Sequence, residues 1–371
     1  MTRAAVLTAV GQPLEMGDDI DVDQPHAGEV RVQMVASGVC HSDLSMQNGT
    51  LLTPVPVVLG HEGAGIVESL GEGVAEQFGL AVGDHVVISW VPQCGSCFYC
   101  QRGQPELCET TSMSVAMACL LDGTTRFTWR GQPLRQMSAS GTFAEMSVVP
   151  AVSAIKVDPD LDLKVAALIG CGVLTGVGAA LNTAHIAAGD TVAVVGCGGV
   201  GLNVIQGAAI AGAESIIAVD VNPAKLDMAR AFGATEVVDA GGRDPVSGVM
   251  ELTTQRGADV AFEVIGLQQT IDQTIGMTRR GGQAVLVGVP RMDAVVNVPA
   301  FFGVVLAEKT IKGCWYGGSD VRRDVARIVD YYRAGRLKLD ELISRTIALD
   351  EVNDAFDTMQ RGEVARSVIA Y

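Results

Sequence analysis

The sequence predicts an α/β protein in two parts, a doubly wound parallel sheet and a β-rich lobe. Three observations carry this. Between about residue 165 and residue 310, apolar strands alternate with helical patterns, the signature of βαβ units and a parallel sheet. Ahead of that stretch lie short β-branched runs bounded by Gly and Pro, which read as antiparallel strands. Within the first part stand four cysteines, Cys94, Cys97, Cys100 and Cys108, closer together than ordinary packing requires.

Taken in order, residues 1–10 read as a first strand, followed by turn and acidic residues rather than a secretory leader. Strands are expected at 30–35, 66–69 and 84–89, with turns at Gly71-Glu72-Gly73 and Gly83-Asp84. Residues 109–141 are polar and weakly periodic and read as a long surface excursion. Parallel strands are expected at 191–195, 215–219, 236–239, 259–264, 283–288 and 309–313, then helices at 320–334 and 349–360 and a closing strand at 367–371. The expected division is 1–173 (cysteine lobe 90–110), 174–312, and 313–371 returning to the first part.

The chain has 371 residues and a net charge of −16. That length accommodates two cores. The charge disfavours nucleic acid and anionic membrane surfaces, which both need clustered Lys and Arg. Two uncharged stretches, 165–186 and 191–213, have the length of membrane spans, but Gly, Asn182, Asn203 and Gln206 interrupt them, and buried strands feeding helices have the same composition.

Four thiolates at this spacing satisfy a tetrahedral Zn²⁺ and leave no open position, so the site would be structural. A disulfide cluster is the alternative. Nine cysteines cannot all pair within one chain, and a chain this long does not need disulfides, which points to a reducing, cytoplasmic setting.

Val192–Val195 runs into Gly196-Cys197-Gly198-Gly199-Val200-Gly201, then a helix to Gly212, then a second strand ending at Asp220. Strand, glycine turn, helix and a later acidic residue form a Rossmann unit. Gly196, Gly198, Gly199 and Gly201 let backbone N–H groups approach a pyrophosphate. Asp220 would accept hydrogen bonds from ribose hydroxyls and repel a 2′-phosphate, favouring NAD over NADP.

Three further Cys and His residues stand in distinctive settings: Cys40 in Gly38-Val39-Cys40-His41-Ser42-Asp43, His61 in Gly60-His61-Glu62-Gly63-Ala64-Gly65, and Cys171 in Gly170-Cys171-Gly172. Spacing alone does not single them out. With the cysteine lobe and the Rossmann turn, these motifs resemble the zinc-dependent medium-chain alcohol dehydrogenases over essentially the whole length. Asp122-Gly123-Thr124-Thr125-Arg126-Phe127 resembles the longer branch, which contains glutathione-dependent formaldehyde dehydrogenases and actinobacterial enzymes.

The resemblance implies a β-rich GroES-like catalytic domain and a second, catalytic zinc held by Cys40, His61 and Cys171. Cys₂His leaves one position open. Glu62 would be an exchangeable or neighbouring ligand, and Asp43 would orient His61. It further implies reversible alcohol oxidation, with zinc as Lewis acid and hydride transfer to NAD across a two-domain cleft. Ser42 matches the hydroxyl that takes the alcohol proton and passes it through the coenzyme ribose. His41 and Arg366 match pyrophosphate-facing positions, Lys225 a ribose contact, Thr175 a nicotinamide-side hydroxyl and Val289 a backbone contact to the carboxamide. A homodimer or homotetramer is implied, with the apolar run 301–306 and strand 309–313 extending the sheet across a twofold axis.

The chain departs from the family at three positions. Ser45 stands where some relatives have the His ending the proton relay, His41 replaces an arginine, and Leu267 stands where an arginine often contacts coenzyme. The formaldehyde branch uses an arginine just after the four-cysteine lobe, yet between Arg102 and Arg126 this chain has no Lys or Arg, and Thr110, Thr111, Met113, Met117 and Leu120 stand there instead. Asn48-Gly49-Thr50-Leu51-Leu52 replaces that branch's acidic pair. The expected substrate is a neutral, apolar primary alcohol, with Trp90 as a pocket wall. Thiol-dependent formaldehyde oxidation is the second reading, and a non-catalytic zinc and NAD binder the third.

Overall fold

The structure, a computed structural model, describes residues 1–362 and 365–371. The chain forms two compact units. The first comprises Met1–Gly172, Asp320–Tyr332 and Leu339–Tyr371, and the second Val173–Ser319 and Arg333–Lys338.

The first unit is β-rich. Strands Thr2–Leu7, Glu15–Val22, Phe127–Trp129, Gln132–Gln136 and Val57–Val58 close a small barrel. A seven-stranded sheet is built around the long strand Glu29–Val39, which pairs antiparallel with Glu62–Leu70, Met146–Pro150 and Arg366–Ala370. The barrel core gathers Leu7, Ile20, Leu59, Phe127, Leu134 and Phe143, all fully or almost fully buried. A second core under the sheet contains Val30, Met34, Val86 and Ile88.

Residues 109–141 are not a surface excursion. They form the helix Glu109–Met117, then the two strands that complete the barrel. Leu120, Phe127, Trp129, Leu134 and Met137 are buried. Arg126, itself buried, explains how so polar a stretch packs. Its guanidinium donates to both oxygens of Glu29 (2.9 and 2.7 Å), to Asp122 (2.6 Å) and to Nδ1 of His26 (2.8 Å). A buried guanidinium is tolerable only when its donors are met in this way.

The second unit carries a six-stranded, wholly parallel sheet ordered Glu236–Asp239, Ser215–Asp220, Thr191–Val195, Ala258–Glu263, Thr278–Leu286 and Thr310–Gly313. This is the doubly wound order, reversing between Thr191–Val195 and Ala258–Glu263. Val192, Ala193 and Val194 are fully buried, as strands covered on both faces require. Helix Gly199–Ala211 follows the glycine turn and stops at Gly212, whose φ of +95° suits the left-handed cap. Helix Pro223–Ala231 starts with Asn222 capping Ala224 N–H and Pro at its first position.

The helical run Leu163–Thr183 has the length and apolar composition of a membrane span, but 83% of its apolar 18-residue window is buried inside the protein, the property of a core helix.

Candidate metal centres and dinucleotide site

Cys40 caps the N-terminus of the short helix His41–Gln47, which places Ser42 and Asp43 in its first turn. His61 immediately precedes the strand Glu62–Leu70, and Cys171 lies in the π-helical turn Ile169–Val173. Ligand atoms of Cys40, His61, Glu62 and Cys171 lie within 4.8 Å of one another, and all four residues are buried. Asp43, fully buried, ties the group together. One carboxylate oxygen accepts the Cys40 N–H at 2.9 Å, and the other accepts the Gly60 N–H at 3.1 Å and lies 3.0 Å from His61 Nδ1. The other ring nitrogen, Nε2, is thereby left for the cluster. Ser42 Oγ lies 3.9 Å from the Cys40 sulfur.

The donor set fits a zinc ion. A hydrogen bond from Cys171 holds the Cys40 thiol well below its usual range, while the same pairing, with burial, pushes Cys171 well above. Two buried sulfurs are competing for one proton, a conflict that a divalent cation removes. Burial pulls the His61 pKa down, but Asp43 and Cys40 together more than reverse it. Burial pushes the Glu62 carboxyl up to about 7, against the pull of Arg366.

Sequence reading missed the setting of Arg366. The residue is buried, with Nη2 3.3 Å from Glu62 Oε1, close enough for an ion pair though not aligned as a hydrogen bond. Gly172 N–H also donates to that oxygen at 3.2 Å. A Cβ at Gly172 would stand 2.6 Å from Arg366 Nη2, and one at Gly38 would collide with Glu62 Oε2. The glycines flanking these motifs are therefore the sequence trace of a carboxylate–guanidinium pair. Trp90 packs edge-on to His61, ring centroids 6.2 Å apart at 87°.

Cys94, Cys97, Cys100 and Cys108 converge with sulfurs likewise within 4.8 Å. Backbone N–H groups of Cys97 (3.3 Å) and Ser96 (3.5 Å) donate to the Cys94 sulfur, and that of Cys94 (3.4 Å) to the Cys108 sulfur. Against a desolvation cost, the Ser96 N–H and Oγ, the Cys97 N–H and the Cys108 side chain bring the Cys94 thiol down to about 6. N–H donors aimed at closely packed sulfurs suit thiolates on a closed zinc site. Thr110 and Thr111 point their hydroxyls at Pro92 O, and Leu120 is core, so of the five residues read as replacing an arginine only Met113 and Met117 are exposed.

In the second unit Gly196 has a φ of +102°, and a Cβ on Gly201 would collide with Gly196 O, so both positions need glycine. Gly198 caps the helix that begins at Gly199. Asp220, buried at its strand end, accepts from Cys197 N–H (2.8 Å) and Asn222 N–H (3.0 Å), bracing the glycine turn. Lys225 lies half-buried on the following helix, Thr175 lies half-buried on the helix Leu174–Gly178, and Val289 is exposed. His41 is exposed in the first unit. The structure thus brings Cys40, Ser42, His61, Glu62, Cys171 and Arg366 together in one unit, and the four glycines and Asp220 in the other.

Residues 26–159 match the alcohol dehydrogenase GroES-like domain, and residues 199–330 the zinc-binding dehydrogenase domain. S-(hydroxymethyl)glutathione dehydrogenases of Escherichia coli and Shigella sonnei are 40% identical over 373 residues, covering both chains fully. A zinc-binding alcohol dehydrogenase domain protein from Burkholderia ambifaria superposes with a TM-score of 0.93 at 32% identity, covering 100% of this chain and 98% of that one. Benzyl alcohol dehydrogenase from Acinetobacter calcoaceticus also gives 0.93, at 30% identity and coverages of 100% and 99%.

Proposed function

The chain belongs to the zinc-dependent medium-chain alcohol dehydrogenase family, with zinc and NAD as its cofactors, and on that premise we propose that it oxidises a neutral, apolar primary alcohol to its aldehyde. The observation carrying the substrate class is Trp90 set edge-on to His61, which puts an aromatic wall beside the metal ligands. Similarity to an enzyme named for benzyl alcohol supports the same class. In this reading Cys40, His61 and Cys171 hold the catalytic zinc, and Cys94, Cys97, Cys100 and Cys108 the structural one.

When bound, the zinc supplies Lewis acidity that lowers the pKa of an alcohol hydroxyl, and NAD supplies the acceptor for a hydride. Ser42 Oγ, beside the Cys40 sulfur, accepts the alcohol proton and releases its own toward solvent. The alcohol carbon loses a hydride and its oxygen a proton, giving aldehyde, NADH and H⁺. Asp43 fixes the His61 tautomer, and Arg366 compensates the buried charge of Glu62. Gly196, Gly198, Gly199 and Gly201 seat the pyrophosphate, Asp220 and Lys225 the adenosine ribose, and Thr175 and Val289 the nicotinamide.

A second reading, oxidation of the formaldehyde–thiol adduct, is favoured by the 40% identity to S-(hydroxymethyl)glutathione dehydrogenases. Nicotinamide reduction by the zinc-loaded protein separates the two. Turnover of benzyl and aliphatic alcohols without thiol supports the first; turnover confined to formaldehyde plus glutathione replaces it with the second.

The protein is proposed to act as a homodimer. Phe301, Phe302 and Val305 are 60%, 72% and 65% exposed, close in sequence to the edge strand Thr310–Gly313. An apolar patch beside an open sheet edge fits a second copy. Sedimentation of Phe302→Glu should show monomer where the wild type shows dimer.

A further inference from the structure

Glu263 is a fully buried carboxylate at the carboxyl end of the strand Ala258–Glu263, in the second unit. Its register partners on either side are Val195 and Leu286, both apolar. It therefore sits where the strand order reverses, which in sheets of this kind is where ligands bind. Burying a carboxylate is costly, and sheet formation alone does not require one here.

The carboxylate acts on the loop that follows it. Oε1 accepts three hydrogen bonds, from Ile265 N–H at 2.9 Å, Gly266 N–H at 2.8 Å and Thr270 Oγ1 at 2.7 Å. Its main-chain carbonyl accepts from Val287 and Gly288 N–H at 2.8 and 3.0 Å. Two loops are thus pinned to one residue. Each touches a position already assigned to the coenzyme. Ile265 packs on Gly196, where a Cβ would stand 2.6 Å from Ile265 Cγ1. Gly266, at φ +89°, lies so close to the Val289 carbonyl that any side chain would collide with it. Oε2 has no hydrogen-bond partner among the described residues and faces Gly288, where a Cβ would stand 2.5 Å away.

We propose that Glu263 is a positioning residue for the nicotinamide dinucleotide, holding Ile265–Gly266 so that Gly196 and Val289 keep their binding geometry. The inference rests on the coenzyme reading above. Glu263 belongs to neither metal cluster, so zinc content serves as a control for its role.

The test compares wild type, E263A, E263Q and T270V in the full-length, zinc-loaded protein, reading NADH binding by fluorescence titration, KM for NAD against kcat, and zinc content. E263A is expected to bind NADH about tenfold more weakly or worse, the scale of losing hydrogen bonds to a charged group, with kcat at saturating NAD within about threefold and zinc unchanged. E263Q, whose amide oxygen can accept the same three bonds, should recover most of the affinity. T270V removes one donor from a half-buried site and should weaken NADH about two- to fivefold, and it carries the test if E263A does not fold. A folded E263A or T270V that binds NADH as tightly as wild type overturns the positioning role. A wild type that binds no NADH overturns the coenzyme reading, and the positioning role with it.

Discussion

Asp43 lies 3.0 Å from His61 Nδ1 through the same oxygen that accepts the Gly60 N–H, while its other oxygen accepts the Cys40 N–H. One carboxylate thus sets the backbone of one metal ligand and the ring of another. Replacing it disturbs both, so D43A is expected to lose zinc affinity about 10- to 100-fold at the catalytic centre while the four-cysteine site keeps its metal. Competition with a chelator, read as one fast-leaving and one slow-leaving zinc per chain, checks this.

Arg126 joins the hairpin that closes the barrel to Glu29, a strand distant in sequence. Truncation leaves Glu29 buried without its partner. R126A should destabilise the protein by about 3–5 kcal/mol, the scale for breaking a buried pair by removing one side. Thermal unfolding measures it.

Asp122, on the rim of the same network, gives a pH signature. Burial opposes ionisation, but Thr124 and Arg126 overcome it and lower the carboxyl from 3.8 to about 2. A depressed pKa means stability that is fully present above about pH 4 and is lost as pH falls through about 2. The side chain is 44% exposed, so solvent screens the pair and the gain is at most about 1 kcal/mol. D122N should therefore be slightly less stable than wild type at pH 7, and the two should converge near pH 2 in acid-unfolding curves.

Asp220, proposed above to meet the adenosine ribose, also accepts the Cys197 N–H that braces the glycine turn. D220A should weaken both NAD and NADP. D220N keeps an acceptor oxygen and removes the repulsion, so its NADP-to-NAD ratio of kcat/KM should rise by about tenfold, one charged hydrogen bond's worth. A pure loss of both coenzymes in D220N would contradict the assignment.

Much of this was legible in the residue order. The four-cysteine spacing and the glycine turn are local motifs whose geometry the chain carries within a few residues, and both converge in the fold. The parallel strands were readable because each is a run such as Val192–Val195, apolar throughout since both faces are covered. Residues 109–141 were not. The Glu109–Met117 helix is rich in Thr, Ser and Met without an apolar stripe, and the strands after it are three and five residues long, too short for periodicity to register. Burial there depends on Arg126 meeting Glu29 from far away in sequence. The same holds for Glu62 with Arg366: the resemblance gave each a ligand-side role, but their burial against one another joins residues about 300 positions apart, which no local pattern carries.

The central claim is a catalytic zinc at Cys40, His61 and Cys171, and counting metal in Cys171→Ala tests it most directly. Elemental analysis of wild type and variant, with alcohol oxidation assayed on the same samples, should show zinc falling from about two per chain to about one and activity lost in a folded protein. A Cys171→Ala protein that keeps both zinc ions and turns over alcohol at the wild-type rate would contradict the account.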